Sequence, residues 1–164
     1  MNHIIIYTAE YLYLVILLVA AIFFFKQPRR IQKNLIVCGI IVAPVSFILA
    51  KIGGALYYDA RPFVVGHFTP LIAHAADNGF PSDHMLLVSA VAMIVTFYNR
   101  RLGAVLWVLA LFVGIARVLS GVHHITDILG SIVFVLIAAA IYYFTIGKKQ
   151  IEREKNPLEN RIRI

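Results

Sequence analysis

Apolar residues run along this chain in long blocks, separated by short clusters of charge. A helix that crosses a bilayer needs about 20 largely apolar residues, and five blocks meet or approach that length. The first covers residues 4–25, broken only by Glu10. The second covers 35–58 and holds Pro44, an expected kink of the kind that neighbouring helices accommodate. A polar stretch containing Gly and Pro follows at 59–83, then apolar blocks at 82–98, 102–119 and 127–146, and finally a charged tail at 148–164. The pattern predicts an all-α fold, a polytopic membrane helix bundle with about five transmembrane spans. No repeat or linker divides it, so residues 1–147 read as a single membrane-embedded domain and 148–164 as a basic tail. The first block has neither a basic leader nor a small-residue cleavage site and reads as a retained helix.

Composition agrees with that pattern. Hydrophobic residues make up 61% of the chain, charged residues 14%, and the mean hydropathy is +0.85. A soluble domain carries roughly 45–50% apolar and about 25% charged residues, which excludes an ordinary soluble globule. Cys38 is the single cysteine, so no intrachain disulfide is possible, and its apolar surroundings argue against metal ligation.

The net charge of +7 fits either nucleic acid or basic membrane loops, and position decides between them. Lys26, Arg29, Arg30 and Lys33 lie between the first two spans, and Arg100 and Arg101 between the third and fourth. Lys148, Lys149, Arg153, Lys155, Arg161 and Arg163 lie in the tail. Five spans put all three segments on one side, which the positive-inside rule makes cytoplasmic. Three of the 15 basic residues remain: Lys51, Arg61 and Arg117, all near the outer ends of spans. Asp59, Asp77, Asp83, Asp127 and five histidines (67, 74, 84, 123, 124) accompany them. Charge at such positions is costly and usually functional, so this outer face is the expected site.

Three segments carry the chemistry. In Phe80-Pro81-Ser82-Asp83-His84, proline suits a first helical turn, and free backbone N–H groups with the Ser82 hydroxyl make an anion cradle. On its own the run is also an ordinary Ser/Asp helix cap. His123 and Asp127 stand four apart, one face of a helix, where a carboxylate holds one imidazole nitrogen and leaves the other free as nucleophile or base. In isolation the pair is more simply an interfacial histidine that precedes an aspartate. His124, adjacent, points away. Arg61 and Arg117 are permanently charged forks suited to phosphate oxygens, while Lys51 either reaches the same anion or snorkels outward. Taken together, the segments describe phosphoryl transfer at a membrane surface.

Arg61-Pro62, Pro81-Ser82-Asp83-His84 and Arg117-x5-His123-x3-Asp127, in this order, resemble the signature of the type 2 phosphatidic acid phosphatase superfamily. Within it, Asp83, the run Tyr57-Tyr58-Asp59-Ala60-Arg61-Pro62-Phe63, His74-Ala75-Ala76-Asp77 and Glu10-Tyr11 resemble the bacitracin-resistance branch, which dephosphorylates undecaprenyl pyrophosphate. The usual motif lysine falls at Gly54, with Lys51 one turn earlier, and Ala116 stands where serine is usual. The resemblance implies a catalytic His123 nucleophile oriented by Asp127, with His84 as acid and then base. It implies phosphate binding by Arg61, Arg117, Ser82, Asp83 and Lys51, with His74 and Glu10 as secondary residues. No metal and no cofactor are implied.

The expected reaction is hydrolysis of undecaprenyl pyrophosphate to undecaprenyl phosphate and inorganic phosphate through a phosphohistidine. The expected setting is the bacterial cytoplasmic membrane, with the active site extracytoplasmic. The partners are a polyprenyl pyrophosphate and membrane lipids, with no nucleic acid and no obligatory protein partner. The alternatives are a phosphatidic acid or phosphatidylglycerophosphate phosphatase and, outside enzymes, a small transporter or lipid-binding protein.

Overall fold

The computed structural model describes residues 2–155, so the tail beyond 155, with Arg161 and Arg163, lies outside the described residues. The elements are α1 (Asn2–Lys26), α2 (Arg29–Leu56), a short α3 (Pro62–Val65), α4 (Asp83–Tyr98), α5 (Arg100–Leu119) and α6 (Ile125–Tyr142). A π-helical turn, Tyr143–Gly147, leads into α7 (Lys148–Lys155). No strand occurs among the described residues, where Ala60 and Asn78 form an isolated antiparallel bridge. The all-α membrane bundle expected from the apolar blocks is the fold observed.

Helix ends differ from the apolar blocks because hydropathy marks the membrane-embedded length, whereas a helix continues while its backbone can hydrogen-bond. Thus α2 begins at Arg29, immediately after Pro28, and carries Arg29, Arg30 and Lys33 in its first turns. Pro44 sits within it. The last span starts at Ile125, and its helical path continues through the π turn into the tail at Lys148.

Among the described residues, four helical stretches are long and apolar enough to cross a membrane by themselves; α4 is shorter, at 16 residues. At 1.5 Å per residue α4 spans only about 24 Å, less than a hydrocarbon core of about 30 Å. Its position accounts for this. α4 packs against α1, α2, α5 and α6, so it is surrounded mainly by protein. One face joins Met85, Val88, Ala92 and Val95 to Ile16, Leu106, Ala110 and Val113. The other joins Leu86 and Ala90 to Cys38, Val42, Val135, Ala138 and Tyr142. A helix apolar all round belongs in the centre. α1 leans on α5 and α4, α2 on α6 and α4, and α1 and α2 scarcely touch.

Small residues set the helix spacing within the chain. Gly114 faces Met85 and Ile128, and Ala138 is buried. Gly103 faces Thr96, where a methyl group at 103 would fall 2.6 Å from Thr96 Cα. Gly39 has nothing within 4 Å of the same position. Gly103→Ala is therefore expected to destabilise the bundle by about 1–3 kcal/mol through overpacking. Gly39→Ala is expected to be neutral or stabilising, by up to about 1 kcal/mol, because alanine suits a helix better than glycine. Thermal unfolding in detergent reads both, and equal effects would contradict this account of α4–α5 contact.

Candidate active site

The three charged segments converge at one end of the bundle because of how α4 and α6 begin. Ser82 is the N-cap of α4; its Oγ accepts the Met85 N–H, and its own N–H donates to Asp127 O at 3.3 Å. Ser131 Oγ, one turn down α6, donates to both Ser82 O at 2.8 Å and Asp127 O at 2.9 Å. The starts of α4 and α6 are thereby stapled together. Ser82 is fully buried and does not line the cavity that the other residues surround. What reaches the cavity at this point is Asp83 and His84, at the helix N-terminus.

His123 and Asp127 do meet, though by a different route from helical spacing. α6 starts at Ile125, so His123 lies outside the helix, and Asp127 occupies its third position. Asp127 Oδ2 accepts the His124 backbone N–H at 2.8 Å and lies 3.1 Å from His123 Nδ1. The carboxylate thus caps the helix and holds the imidazole in one act. Gly121, at φ +80°, makes the turn out of α5 that brings His123 round. With Nδ1–H donated to Asp127, His123 Nε2 keeps a lone pair, and Arg61 Nη1 stands 3.4 Å from it.

Arg61 is 5% exposed and heavily engaged. Its Nε donates to Asp77 Oδ1 at 2.8 Å, Nη1 to Val122 O at 2.9 Å, and Nη2 to Asn78 O at 3.3 Å. Asn78 anchors this corner in turn. Its Oδ1 accepts the N–H groups of Asp59 and Phe80, and its Nδ2 donates to Gly54 O and Tyr57 O. Gly54 permits the approach, since a Cβ there would lie 3.0 Å from Phe80 O. Sequence reasoning passed over Asn78 and Ser131. The signals available were the turn-forming Asn78-Gly79 pair and a small hydroxyl four residues beyond Asp127.

A cavity of about 420 Å³ is lined by Lys51, Arg61, His74, Asp83, His84, Arg117 and His123, together with Asp77 and Asn78. Lys51 reaches it from the end of α2, its Nζ 5.0 Å from the Phe47 ring centre. His74 packs edge-on to His123, ring centres 6.0 Å apart, and the Tyr13 ring stands 5.2 Å from that of His84. Glu10 lies elsewhere, in a neighbouring cavity that shares His74, His84 and Arg117. Arg117 is 4% exposed, and its Nε has no partner among the described residues.

The set suits an anion held by guanidinium groups, and it presents a free imidazole nitrogen to that anion. His124, expected to point away, lies with Nδ1 3.2 Å from Asp59 Oδ1, while Thr126 Oγ1 donates to Asp59 Oδ2. Asp59, His124 and Asp127 bring ligand-type atoms within 4.8 Å of one another. The hydrogen bonds already described make this group a latch between residue 59 and the start of α6.

Burial and the nearby arginines favour the neutral form of His123. Burial lowers its pKa below the ordinary 6.5, and the charges of Arg117 and Arg61 lower it further against the opposing pull of Asp127. His74 is lowered by burial first and then by the same two arginines. The Arg61 hydrogen bond holds Asp77 below the usual carboxylate range. Because the His123 pKa is depressed, its neutral form is lost only as pH falls through that lower value. Any activity that requires neutral His123 is therefore expected to keep its acid limb in kcat/KM below pH 6.5, the ordinary histidine value. A pH–rate profile reads this, and a limb above 6.5 contradicts it.

The PAP2 superfamily model matches residues 35–151, from within α2 to α7. The chain is similar to the bacitracin transport permease protein BcrC of Bacillus licheniformis, 28% identical over 149 residues, covering 90% of this chain and 73% of that protein. It is also similar to the undecaprenyl-diphosphatase BcrC of Bacillus subtilis (strain 168), 31% identical over 146 residues, covering 87% of this chain and 74% of that one. Among solved structures, that of Aquifex aeolicus LpxE superimposes with a TM-score of 0.70 over 86% of each chain at 17% identity, a likeness of fold. A family match over most of the chain and a relative at 31% identity along nearly three quarters of its own length place this protein in the PAP2 superfamily.

Proposed function

We propose that this PAP2 phosphatase hydrolyses undecaprenyl pyrophosphate to undecaprenyl phosphate and inorganic phosphate at the extracytoplasmic face of a bacterial cytoplasmic membrane. The observation that carries the reading is the His123–Asp127 pair, with its free Nε2 turned toward buried guanidinium at one end of a membrane bundle. The similarity to the Bacillus subtilis undecaprenyl-diphosphatase supports the substrate.

In this reading His123 Nε2 attacks the terminal phosphorus. The bond from phosphorus to the bridging oxygen breaks, and that oxygen takes the proton of His84 as undecaprenyl phosphate departs. The negative charge of the incoming diphosphate favours the protonated His84 that this step needs. His84, now neutral, then accepts a proton from water, whose oxygen attacks phosphorus; the P–N bond breaks, releasing orthophosphate and restoring His123. Asp127 holds the ring and balances its positive charge during phosphorylation. Arg61, Arg117 and the backbone N–H groups at Asp83 and His84 hold the non-bridging oxygens, so that catalysis is chiefly positioning and charge stabilisation. Ser82 contributes by capping α4 and so aiming those N–H groups. Lys51, at the α2 wall, takes the second phosphate of the diphosphate. Residues 1–147 form the phosphatase domain, and 148–164 a cytoplasmic basic tail.

Phosphate release from undecaprenyl pyrophosphate, phosphatidic acid and phosphatidylglycerophosphate in detergent tests the reading. The wild-type chain is expected to prefer the diphosphate, and His123→Ala to lose at least about 10³-fold. Lys51→Ala is expected to weaken diphosphate turnover about tenfold while sparing the monophosphates. Substantial turnover by His123→Ala removes the nucleophile assignment, and a monophosphate preference removes the substrate.

Sidedness is tested separately. Val65→Cys in a Cys38→Ser background is expected to react with a membrane-impermeant maleimide applied to intact cells, since Val65 is 62% exposed at the site end of the bundle. Labelling only after lysis would place that end in the cytoplasm.

A further inference from the structure

Arg117 stands between two cavities. One is the cavity of about 420 Å³ assigned to phosphate. The other, about 380 Å³, is bounded by Glu10 of α1 together with His84 and Arg117. Arg117 is buried, yet among the described residues its Nε has no partner. A buried guanidinium without a close counter-ion is unfavourable unless other charges offset it. Two carboxylates flank Arg117 across these cavities, Glu10 and Asp83, and both favour its charged form. Asp83 lines the phosphate cavity; Glu10 lines only the second one.

We propose that Glu10 is the standing counter-charge of Arg117 and that, acting from the second cavity, it limits how tightly the first cavity holds phosphate. The inference rests on the phosphatase reading of that cavity. Lys51, Arg61 and Arg117 all face it, and such a cluster binds product orthophosphate along with substrate. Binding that is equal for substrate, transition state and product lowers KM without raising turnover. A carboxylate behind Arg117 weakens that uniform attraction and leaves the fork free of a direct ion pair. Glu10 is thus a positioning residue that works through Arg117. Its helix, α1, lies outside the stretch matched to the PAP2 superfamily, residues 35–151.

The test compares Glu10→Gln and Glu10→Asp with wild type, all as full chains in detergent, with orthophosphate as inhibitor of whichever lipid phosphate the wild type hydrolyses. Loss of one negative charge is expected to tighten orthophosphate inhibition roughly tenfold. KM is expected to fall in Glu10→Gln and kcat to fall with it, while Glu10→Asp stays near wild type. Unchanged or weaker orthophosphate inhibition in a folded Glu10→Gln overturns the proposal, as does a drop in melting temperature with inhibition unaltered. Should Glu10→Gln fail to fold, orthophosphate is expected to restore its melting transition by supplying the missing negative charge; no restoration overturns the proposal. If the wild type hydrolyses none of the lipids, the phosphatase reading fails. Orthophosphate-induced stabilisation then decides the Glu10 question, with the same ordering of variants expected and equal stabilisation overturning it.

Discussion

Everything at the site end of this bundle depends on Asp127. One carboxylate oxygen closes the N-terminus of α6 through the His124 N–H and holds His123 Nδ1, while the backbone carbonyl of the same residue receives Ser82 N–H and Ser131 Oγ. Three contributions therefore share one residue: the start of α6, the start of α4 and the orientation of an imidazole. In a low-dielectric, fully buried position each of these bonds is stronger than it would be in water, and each is more damaging to leave unmade. The arrangement ties the proposed chemistry to the packing of the two helices that carry it.

The cations face the opposite problem. A guanidinium withdrawn from water must be surrounded by acceptors or by opposing charge. Arg61 meets that demand locally, with Asp77, Asn78 O and Val122 O around its fork, and it is fixed in direction as a result. Arg117 does not meet it by hydrogen bonds: among the described residues its buried Nε, beside the cavity, has no partner. In the proposed reading, a rigid cation and an open one give the phosphate a fixed wall and a receptive wall.

The membrane imposes the remaining geometry. α4 is too short to face lipid along its whole length, and it is enclosed by four longer helices, with the charged end of the bundle placed where it begins. Apart from the short α3, residues 59–82 fold over that end as irregular backbone, an arrangement tolerated only where protein or water satisfies the polar groups. Asn78, whose side chain bonds to four backbone groups there and whose carbonyl accepts from Arg61, supplies much of that satisfaction. The apolar contact needed to hold the bundle together leaves the site end free to be polar.

The amino-acid pattern by itself marked the five long helices, though not the short α3 or α7, and the charged residues that stand apart from the basic loops, because hydropathy and charge placement act residue by residue. Arg61, His84, Arg117 and His123 were legible for that reason, each an expensive group in an apolar setting with a spacing that matches a known signature. Sequence left open whether Ser82 caps a helix or faces an anion, and it could not say that His123 lies ahead of α6 rather than on it, or that Glu10 faces a separate cavity behind Arg117. Nor did it single out Asn78, whose importance consists entirely of partners 2 to 24 positions away. These depend on distances between elements remote in the chain, which only the packing of α1, α2, α4 and α6 around one another decides.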